Sequence, residues 1–355
     1  MISEPVRRRR TSRRAAAASL EGVAEPDYRA CAAAGMAALQ RWYNPRTGLW
    51  RSTGWWNAAN ALTAVIAYTR ATGDRAFAGV IETTFSRAPR RHAEFVNSYY
   101  DDNGWWGLAW VAAYDLTGDA RYLDAARVIF DRTTAGWDDT FGGGVWWSQA
   151  RKYKNAIPNE LFLTLAARLH QRDPKAGYYR AWTERTWKWF SASGMIGPGG
   201  LVNDGLTADG RNNGRTTWTY NQGVILGGLA ALHEITGDRA CLERGESIAD
   251  AALGALAGPT GILTEPHEAA TSRRDRDRPQ FKGIFVRHLH DFCRVSARPA
   301  YPAFILGNAR SIWENNRNAA AQFGLRWAGP FDRADAARQS SALDVLNAAV
   351  ALTAR

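Results

Sequence analysis

Two helical patterns of apolar and polar positions follow each other repeatedly along this chain. One is an alanine-rich stretch that is apolar almost all round, as at 56–71 and 103–116, which is typical of a buried helix. The other is amphipathic, as at 119–134, where apolar side chains recur every three or four positions. The alternation predicts pairs of helices, one buried and one with a solvent-facing side.

The turns between the paired helices repeat as well. The tripeptide Thr-Gly-Asp occurs at 72–74, 117–119 and 236–238, each time after an apolar stretch. Glycine there can end a helix with positive φ, and aspartate can cap the start of the next helix. The first two turns lie roughly 45 residues apart, a period typical of helical-hairpin repeats.

The whole pattern predicts an all-α fold, an (α/α)6 barrel of six inner and six outer helices. The predicted inner helices are 56–71, 103–116, 158–171, 221–235, 281–295 and 339–353. The predicted outer helices are 27–42, 75–88, 119–134, 175–192, 239–256 and 301–321. Strand signals are few, and we expect short hairpin arms only at 142–147 and 261–264. The starts of the inner helices should converge at one end, where long loops rim a single groove.

Charge divides the chain into a short tail and one domain. The net charge is +11, and six arginines lie between positions 7 and 14. We predict a disordered tail over 1–24, because it has almost no large apolar groups, and a single domain over 25–355. The arginine run lacks interleaved aromatic residues, and no basic helix follows it, so we expect no nucleic-acid partner.

Cysteine usage and hydropathy suggest where the protein resides. The three cysteines are widely spaced and form no CxxC motif, so we expect neither a zinc site nor a disulfide framework. No apolar run is long enough to span a membrane, and the one after the arginines is too short for a signal peptide. As written, the sequence predicts a cytoplasmic monomer without a cofactor. A wrongly assigned start or a non-standard export route would instead place it outside the cell.

The strongest chemical signal is an adjacent carboxylate pair, Asp101 and Asp102, between two tyrosines and two tryptophans. Paired carboxylates carry out acid/base and nucleophilic steps in glycoside hydrolysis, and flat rings stack on sugar faces. We expect the pair at the start of an inner helix, at the centre of the groove. The helix N-terminus should keep one carboxylate ionised, whereas the neighbouring charge and the tryptophans should raise the pKa of the other. Helix capping by Asp101 is the simpler alternative.

Several motifs together resemble glycoside hydrolase family 76, the endo-α-1,6-mannanases. They are Tyr-Tyr-Asp-Asp at 99–102 with Trp-Trp at 105–106, the glycine-rich segment 141–147, Lys-Asn-Ala-Ile-Pro-Asn-Glu at 154–160, Thr-Tyr-Asn-Gln-Gly at 219–223 and Phe-Lys-Gly-Ile-Phe at 281–285. The resemblance covers about 30–350. It implies an (α/α)6 barrel that cleaves α-1,6-linked mannan or manno-oligosaccharide with retention. It also implies that Asp101 is the nucleophile and Asp102 the acid/base.

Further residues at the starts of the inner helices are candidates for binding sugar. The candidates are Tyr100, Trp56, Asn57, Trp105, Trp147, Asn155, Asp204, Asn221, Gln222 and Lys282. Aromatic rings would stack on sugar, and amides or carboxylates would bind hydroxyl groups. For the amides and for Asp204, helix capping and an Asx turn are equally good explanations.

Three alternatives remain open from the residues alone. A second pair, Asp138 and Asp139, could rim the groove, but turn or cap positions explain it better. His288 and His290 do not share a helix face, which argues against a metal site, although a sugar epimerase on the same barrel would rely on them. A non-catalytic glycan-binding barrel is the third reading.

Overall fold

The computed structural model describes residues 25–175, 177–272 and 275–354, and the predicted tail at 1–24 lies outside this range. Twelve α-helices occupy the described residues. They are α1 (Tyr28–Gln40), α2 (Trp55–Thr72), α3 (Gly79–Arg87), α4 (Tyr100–Thr117), α5 (Ala120–Thr134), α6 (Ala156–Arg172), α7 (Gly177–Ala192), α8 (Thr219–Thr236), α9 (Arg239–Leu256), α10 (Arg278–Phe292), α11 (Ala300–Asn315) and α12 (Ala336–Thr353).

The even-numbered helices form a closed inner ring. Each contacts the next, from α2 through α4, α6, α8 and α10 to α12, and α12 contacts α2 again. The odd-numbered helices pack outside this ring, each against one or two inner helices. The predicted (α/α)6 barrel is therefore confirmed. Because an outer helix runs back between each inner helix and the next, all six inner helices begin at the same end.

Local turn chemistry explains most helix boundaries. Gly73, Gly118 and Gly237 end inner helices with φ of 71°, 73° and 70°, and Asp119 and Asp238 cap the outer helices that follow. These predictions are confirmed.

The same prediction is wrong for Asp74, because α3 begins only at Gly79. Its carboxylate instead accepts hydrogen bonds from the Tyr68 hydroxyl, at 2.6 Å, and from the Ala76 amide, at 2.9 Å. The aspartate thus closes a turn between the two helices rather than starting α3.

The loops contain little sheet. Within the described residues, the strands β1 (Tyr43–Asn44) and β2 (Leu49–Trp50) form the one two-stranded sheet. The predicted arms at 142–147 and 261–264 make only isolated bridges to Trp137 and Ala257. Helix α11 also ends earlier than predicted, because the Asn316 side chain binds both backbone groups of Gly324 and starts a loop there.

Aromatic packing fills the space between the two layers. Trp106 and Trp110 are fully buried, with ring centroids 5.8 Å apart, and Phe95 packs on both. Of the described cysteines, Cys31 and Cys241 are buried and none forms a disulfide. No helix in the described part of the chain has the length and apolar character needed to cross a bilayer.

Candidate active site

The adjacent carboxylates lie in the first turn of α4, at the end of the barrel where the inner helices begin. Asp101 Oδ2 accepts a hydrogen bond from Trp147 Nε1 at 3.0 Å, while its buried Oδ1 has no partner among the described residues. Asp102 Oδ2 accepts a hydrogen bond from Asn97 Nδ2 at 2.6 Å. Two neutral donors thus orient the pair, and both come from loops that lead into or surround the groove.

The electrostatics of the pair are unusual because no described arginine or lysine forms an ion pair with either carboxylate. Burial raises the pKa of Asp101 well above its ordinary value, and the charge of Asp102 raises it further. Burial and then the charge of Asp277 raise the pKa of Asp102 to about 6, against the opposing bond from Asn97. Burial and the repulsion between the neighbouring charges therefore both favour protonation of the pair.

The electrostatic expectation at the start of α4 is modified by burial. The start of α4 was expected to hold one carboxylate ionised, and burial raises the pKa of both carboxyl groups, with Asp102 at about 6. Burial opposes charge more strongly than the helix terminus favours it, because the terminus contributes only about half an elementary charge.

Tryptophans wall the groove on two sides of the carboxylates. Trp147 is 38% exposed and packs edge-on against Tyr99. Trp56 is half-buried, stacks on Trp105 at 5.6 Å and donates from Nε1 to Asp277 Oδ1 at 2.9 Å.

The other two predicted wall residues are not at the surface. Trp105 lies beneath Trp56 and is buried, and Tyr100 is buried with its ring against Gly136, where a Cβ would clash with it. Trp56 and Trp147 therefore supply the accessible rings, and Tyr100 and Trp105 support the walls from below.

Tyr220, in the first turn of α8, lies among four carboxylates. Its ring stacks on Phe281 with centroids 4.0 Å apart and planes 4° from parallel. Burial raises the pKa of its hydroxyl well above the ordinary value, and the charges of Asp204, Asp101, Glu160 and Asp277 raise it further. The acids thus come from four different elements and converge on one hydroxyl group, which therefore stays protonated and can donate a hydrogen bond.

Asp204 is positioned by the loop before α8. Its Oδ2 accepts a hydrogen bond from the Tyr153 hydroxyl at 2.5 Å, and its backbone oxygen accepts from Ala156 at the start of α6. A Cβ on the neighbouring Gly205 would lie 2.5 Å from the Tyr153 oxygen, so only glycine permits this approach. Burial raises the pKa of Asp204, and the Tyr153 bond opposes that shift.

Two predicted amides have polar atoms free to bind a ligand. Asn221 is fully buried in the first turn of α8, and neither its Oδ1 nor its Nδ2 has a partner among the described residues. Asn155 precedes α6 and is also buried, and its Oδ1 is likewise unpartnered. Buried amide atoms without partners are costly, so a ligand with hydroxyl groups would fit them.

Two other predicted amides are used for structure. Gln222 accepts from the amide of Val202 at 2.7 Å and donates to the carbonyl of the same residue at 2.7 Å. Asn57 accepts from the Gly54 amide and donates to the Arg276 carbonyl, so it caps α2 and holds the loop before α10. Both side chains position the groove loops.

Lys282 is buried and is likewise a structural residue. Its ammonium group donates to Glu268, at 2.5 Å, and to the Leu325 carbonyl, at 2.8 Å, and it lies 4.6 Å from the centre of the Trp327 ring. These contacts tie α10 to two loops.

The second aspartate pair lies in a loop beside the groove. Asp138 accepts from Lys154 Nζ at 2.8 Å and from Trp146 Nε1 at 2.7 Å, and the pKa of Asp138 lies far below its ordinary value because these bonds outweigh burial. The Asp139 side chain is 91% exposed. The turn reading of this pair agrees with the structure.

The histidines of α10 lie away from the groove. His288 is buried near the middle of the helix, and burial lowers its pKa to about 3. No cluster of three or more acidic, histidine or cysteine residues suited to a metal ion occurs within 25–175, 177–272 and 275–354.

The sequence analysis missed four polar residues of the groove, namely Asn97, Glu160, Tyr220 and Asp277. Glu160 is fully buried with both carboxylate oxygens unpartnered among the described residues, and burial raises its pKa well above the ordinary value. Asp277 directly precedes α10, as Asn155 precedes α6. Position at the start of an inner helix was the signal that could have identified Asp277.

Comparison with known proteins identifies what the chain resembles. The mannan endo-1,6-α-mannosidase DCW1 of Saccharomyces cerevisiae is 29% identical over 205 residues, which cover 53% of this chain and 45% of that protein. This chain therefore matches about half the length of that curated relative.

Solved structures give the same picture for the fold. The α-1,6-mannanase GH76A from Salegentibacter sp. HEL1_6 is 25% identical, with a TM-score of 0.83 over 92% of this chain and 100% of that one. An inactive variant of the same enzyme, with two consecutive aspartates replaced by asparagine, is known in complex with α-1,6-mannotriose, at 24% identity and a TM-score of 0.83.

The family described as glycosyl hydrolase family 76 matches residues 29–355, which is almost all of the described barrel. With its twelve-helix barrel and its paired carboxylates at the groove, this chain belongs to glycoside hydrolase family 76.

Proposed function

We propose that this protein is a retaining glycosidase that cleaves α-1,6-mannosidic linkages of mannan or manno-oligosaccharides. The observation that carries the proposal is the Asp101–Asp102 pair, which lies half-buried beside accessible tryptophan rings, has no ion-pair partner among the described residues and has both carboxyl pKa values raised. The names of the similar proteins support the substrate class. The inactive Salegentibacter variant supports a catalytic role for the pair, because the residues replaced in it are also two consecutive aspartates.

In the proposed mechanism, Asp101 attacks the anomeric carbon and Asp102 protonates the leaving oxygen. The C–O bond of the linkage breaks as the bond to Asp101 forms, and the proton of Asp102 leaves with the released sugar. Asp102 then takes a proton from water, whose oxygen displaces Asp101 from the sugar. A pKa of about 6 suits a group that gives and then takes a proton near neutral pH.

The free site favours a proton on Asp101, and the transition state reverses this preference. Burial and the neighbouring carboxylate raise the pKa of Asp101 before sugar binds. An oxocarbenium-like transition state places positive charge against the attacking carboxylate, which favours its ionised form. Trp147 donates to Asp101 Oδ2, which leaves the unpartnered Oδ1 as the attacking atom.

The polar groups left free around the pair would hold the mannose hydroxyls. Asn155, Glu160 and Asn221 each present buried, unpartnered polar atoms, and the protonated Tyr220 hydroxyl can donate. Glu160 would bind as a neutral acid, because burial raises its pKa. Trp56 and Trp147 would stack on the apolar faces of flanking sugar rings.

The sugar epimerase alternative is weaker in this barrel. It would need a histidine base in the groove, whereas His288 is buried deeper along α10 and its pKa is about 3. A glycan-binding barrel without catalysis would bind mannotetraose and leave it intact.

Product analysis tests the proposal directly. The chain is incubated with linear α-1,6-mannotetraose, and NMR follows the anomeric configuration of the first product. We expect shorter α-1,6-manno-oligosaccharides with the α-anomer released first. First release of the β-anomer would overturn retention, and intact substrate that nevertheless binds would favour the glycan-binding reading.

Aryl mannosides separate the two roles. With a good leaving group, the first step no longer needs the acid, so Asp102→Asn should release a burst of phenol and accumulate a mannosyl-enzyme. Mass spectrometry should place the added mannosyl unit on Asp101. Labelling of another residue would reject the assignment.

A further inference from the structure

A second cavity lies at the opposite end of the barrel, where the inner helices end. We call it the lower cavity; its volume is about 460 Å³, within the range typical of small-molecule pockets. Its walls come from the C-terminal halves of α2, α4, α10 and α12 and from Arg168 of α6. Trp105 closes it toward the groove, so this buried indole lies between the cavity and Trp56.

Most of the wall surface is apolar. Small or aliphatic side chains from three helices form it, namely Ala67, Ala71, Leu108, Val111, Ala112, Ala348 and Ala351. The many alanines leave room in the barrel interior that larger side chains would fill. Transfer of an apolar ligand from water into this space would therefore be favourable.

Two buried polar side chains in the wall have atoms without hydrogen-bond partners among the described residues. His288 is 3% exposed, and neither of its ring nitrogens has a hydrogen-bond partner among the described residues. Its Nδ1 side packs against Gly227, where a Cβ would approach to 2.3 Å, which leaves Nε2 for a ligand. Asn347 is also 3% exposed, and its Nδ2 donates to Ala64 while its Oδ1 is unpartnered.

The charged groups of the inner wall are already satisfied by one another. Arg287 pairs with Asp344 at 3.0 Å and donates to Asn60 at 2.7 Å. Arg168 pairs with Asp291 at 2.5 Å, and Arg294 pairs with the same carboxylate. The cavity therefore offers a ligand no unpaired charge in its interior.

The rim does not favour an ionic ligand either. Arg70 is exposed there, where solvent screens its charge, and the negative ends of the inner-helix dipoles oppose an anion. A cation would meet four arginines, Arg70, Arg168, Arg287 and Arg294, against three carboxylates. A neutral molecule avoids both penalties.

We propose that the lower cavity is a second binding site, separate from the catalytic groove, for a small neutral alcohol. Its hydrocarbon body lies against the alanine-rich wall, and its hydroxyl group reaches His288 or Asn347. In one neutral tautomer His288 donates from Nε2, and the Asn347 oxygen accepts, which matches the acceptor and the donor of a hydroxyl group.

Calorimetric titration of the full chain with cyclohexanol tests the site. We expect saturable one-to-one binding with a Kd on the order of 1 mM, as a ligand of this size allows. His288→Phe keeps a ring of similar size but removes both nitrogens, and should weaken binding about tenfold, the effect of losing one buried hydrogen bond. Asn347→Leu is a second variant with the same expectation should His288→Phe not fold.

A cavity-filling variant with a matched control locates the site. Ala67→Phe places a ring in the cavity and should abolish binding, whereas Ala120→Phe, at an exposed position on α5, should leave it unchanged. Thermal unfolding verifies that both variants fold. Equal binding by both variants would overturn the proposed location. Stronger binding of hexanoate or hexylammonium than of cyclohexanol would overturn the neutral ligand, and absence of saturation would mean that the cavity holds only water.

Discussion

Two adjacent aspartate pairs, each next to tryptophans in the sequence, have opposite electrostatic environments in the fold. The carboxylates of Asp101 and Asp102 meet neutral donors and other acids, and the pKa of both is raised. Asp138 meets the buried ammonium group of Lys154, and its pKa is held far below the ordinary value. The first pair suits the proposed exchange of protons, whereas the ionised carboxylate of Asp138 anchors a loop.

The absence of a cationic partner separates the proposed catalytic pair from the structural one. Lys154 also donates to the carbonyls of Thr140 and Gly143, at 2.7 Å each, so it organises the glycine-rich loop that ends at Trp147. Trp147 then donates to Asp101. The structural pair therefore supports the loop that orients the proposed catalytic pair.

The largest expected effect distinguishes the two pairs by activity. Asp101→Asn and Asp102→Asn should each lower kcat on α-1,6-mannan at least about 10³-fold, because each removes a group that acts on the reacting bond. Asp139→Asn is the matched control and should keep normal activity, since its side chain is exposed. Comparable losses of kcat in all three variants would contradict the different roles proposed for the two aspartate pairs.

The free energy of unfolding should instead depend on the second pair, through the ion pair of Asp138 with Lys154. Lys154→Met leaves the carboxylate of Asp138 without its main cation and should lower the free energy of unfolding by about 3–5 kcal/mol, measured in urea. Lys152→Met, at an exposed neighbouring position, is the control and should change it little. An unchanged urea midpoint for Lys154→Met would mean that the loop does not depend on this ion pair.

The contributions of Asp138 and Asp102 to the free energy of unfolding should change with pH in opposite directions. A carboxyl group with a lowered pKa in the folded state stabilises the fold above its unfolded pKa, and this contribution of Asp138 is lost as pH falls. The raised pKa of Asp102 makes its ionised form destabilising, so stability falls as pH rises from about 4 to 6. At pH 8, Asp102→Asn should therefore raise the free energy of unfolding by roughly 1–3 kcal/mol and melt at a higher temperature than the parent chain. A lower melting temperature at that pH would contradict this sign.

The pH profile of activity should report the titration of the Asp101–Asp102 pair. Activity should fall below about pH 6, where the second proton enters the pair, and fall again at higher pH, where the last proton leaves. Asn97→Ala removes a bond that favours the ionised form of Asp102, so the acid limb of kcat/KM should move to higher pH by less than about one unit. An acid limb that stays in place would exclude this role of Asn97.

The smallest effect concerns Trp147. Trp147→Phe keeps an aromatic wall but removes the N–H bond that lowers the pKa of Asp101, so the alkaline limb should move upward. We expect only a several-fold loss in kcat/KM, because one neutral hydrogen bond contributes about 1 kcal/mol. Substitution of Trp146, which donates to Asp138 instead, should leave the alkaline limb unchanged.

The helical layers and the place of the site could be predicted because they follow from local rules. Apolar periodicity identified all twelve helices, and the Thr-Gly-Asp turns marked several of their ends. The position of Asp101 and Asp102 followed from the start of α4. These features depend on residues within one or two turns of each other, where side-chain spacing and backbone conformation decide the outcome.

Only the tertiary structure decided which predicted residues have free functional groups. Gln222, Asn57 and Lys282 looked like ligands for sugar, yet their polar atoms bind loop backbone or a buried acid. Glu160, Tyr220 and Asp277 were not among the predicted binding residues and nevertheless converge on the groove from three elements. A side chain's partners, and hence its pKa and its availability, depend on residues far away in the chain, and these become neighbours only when the six inner helices close into a ring.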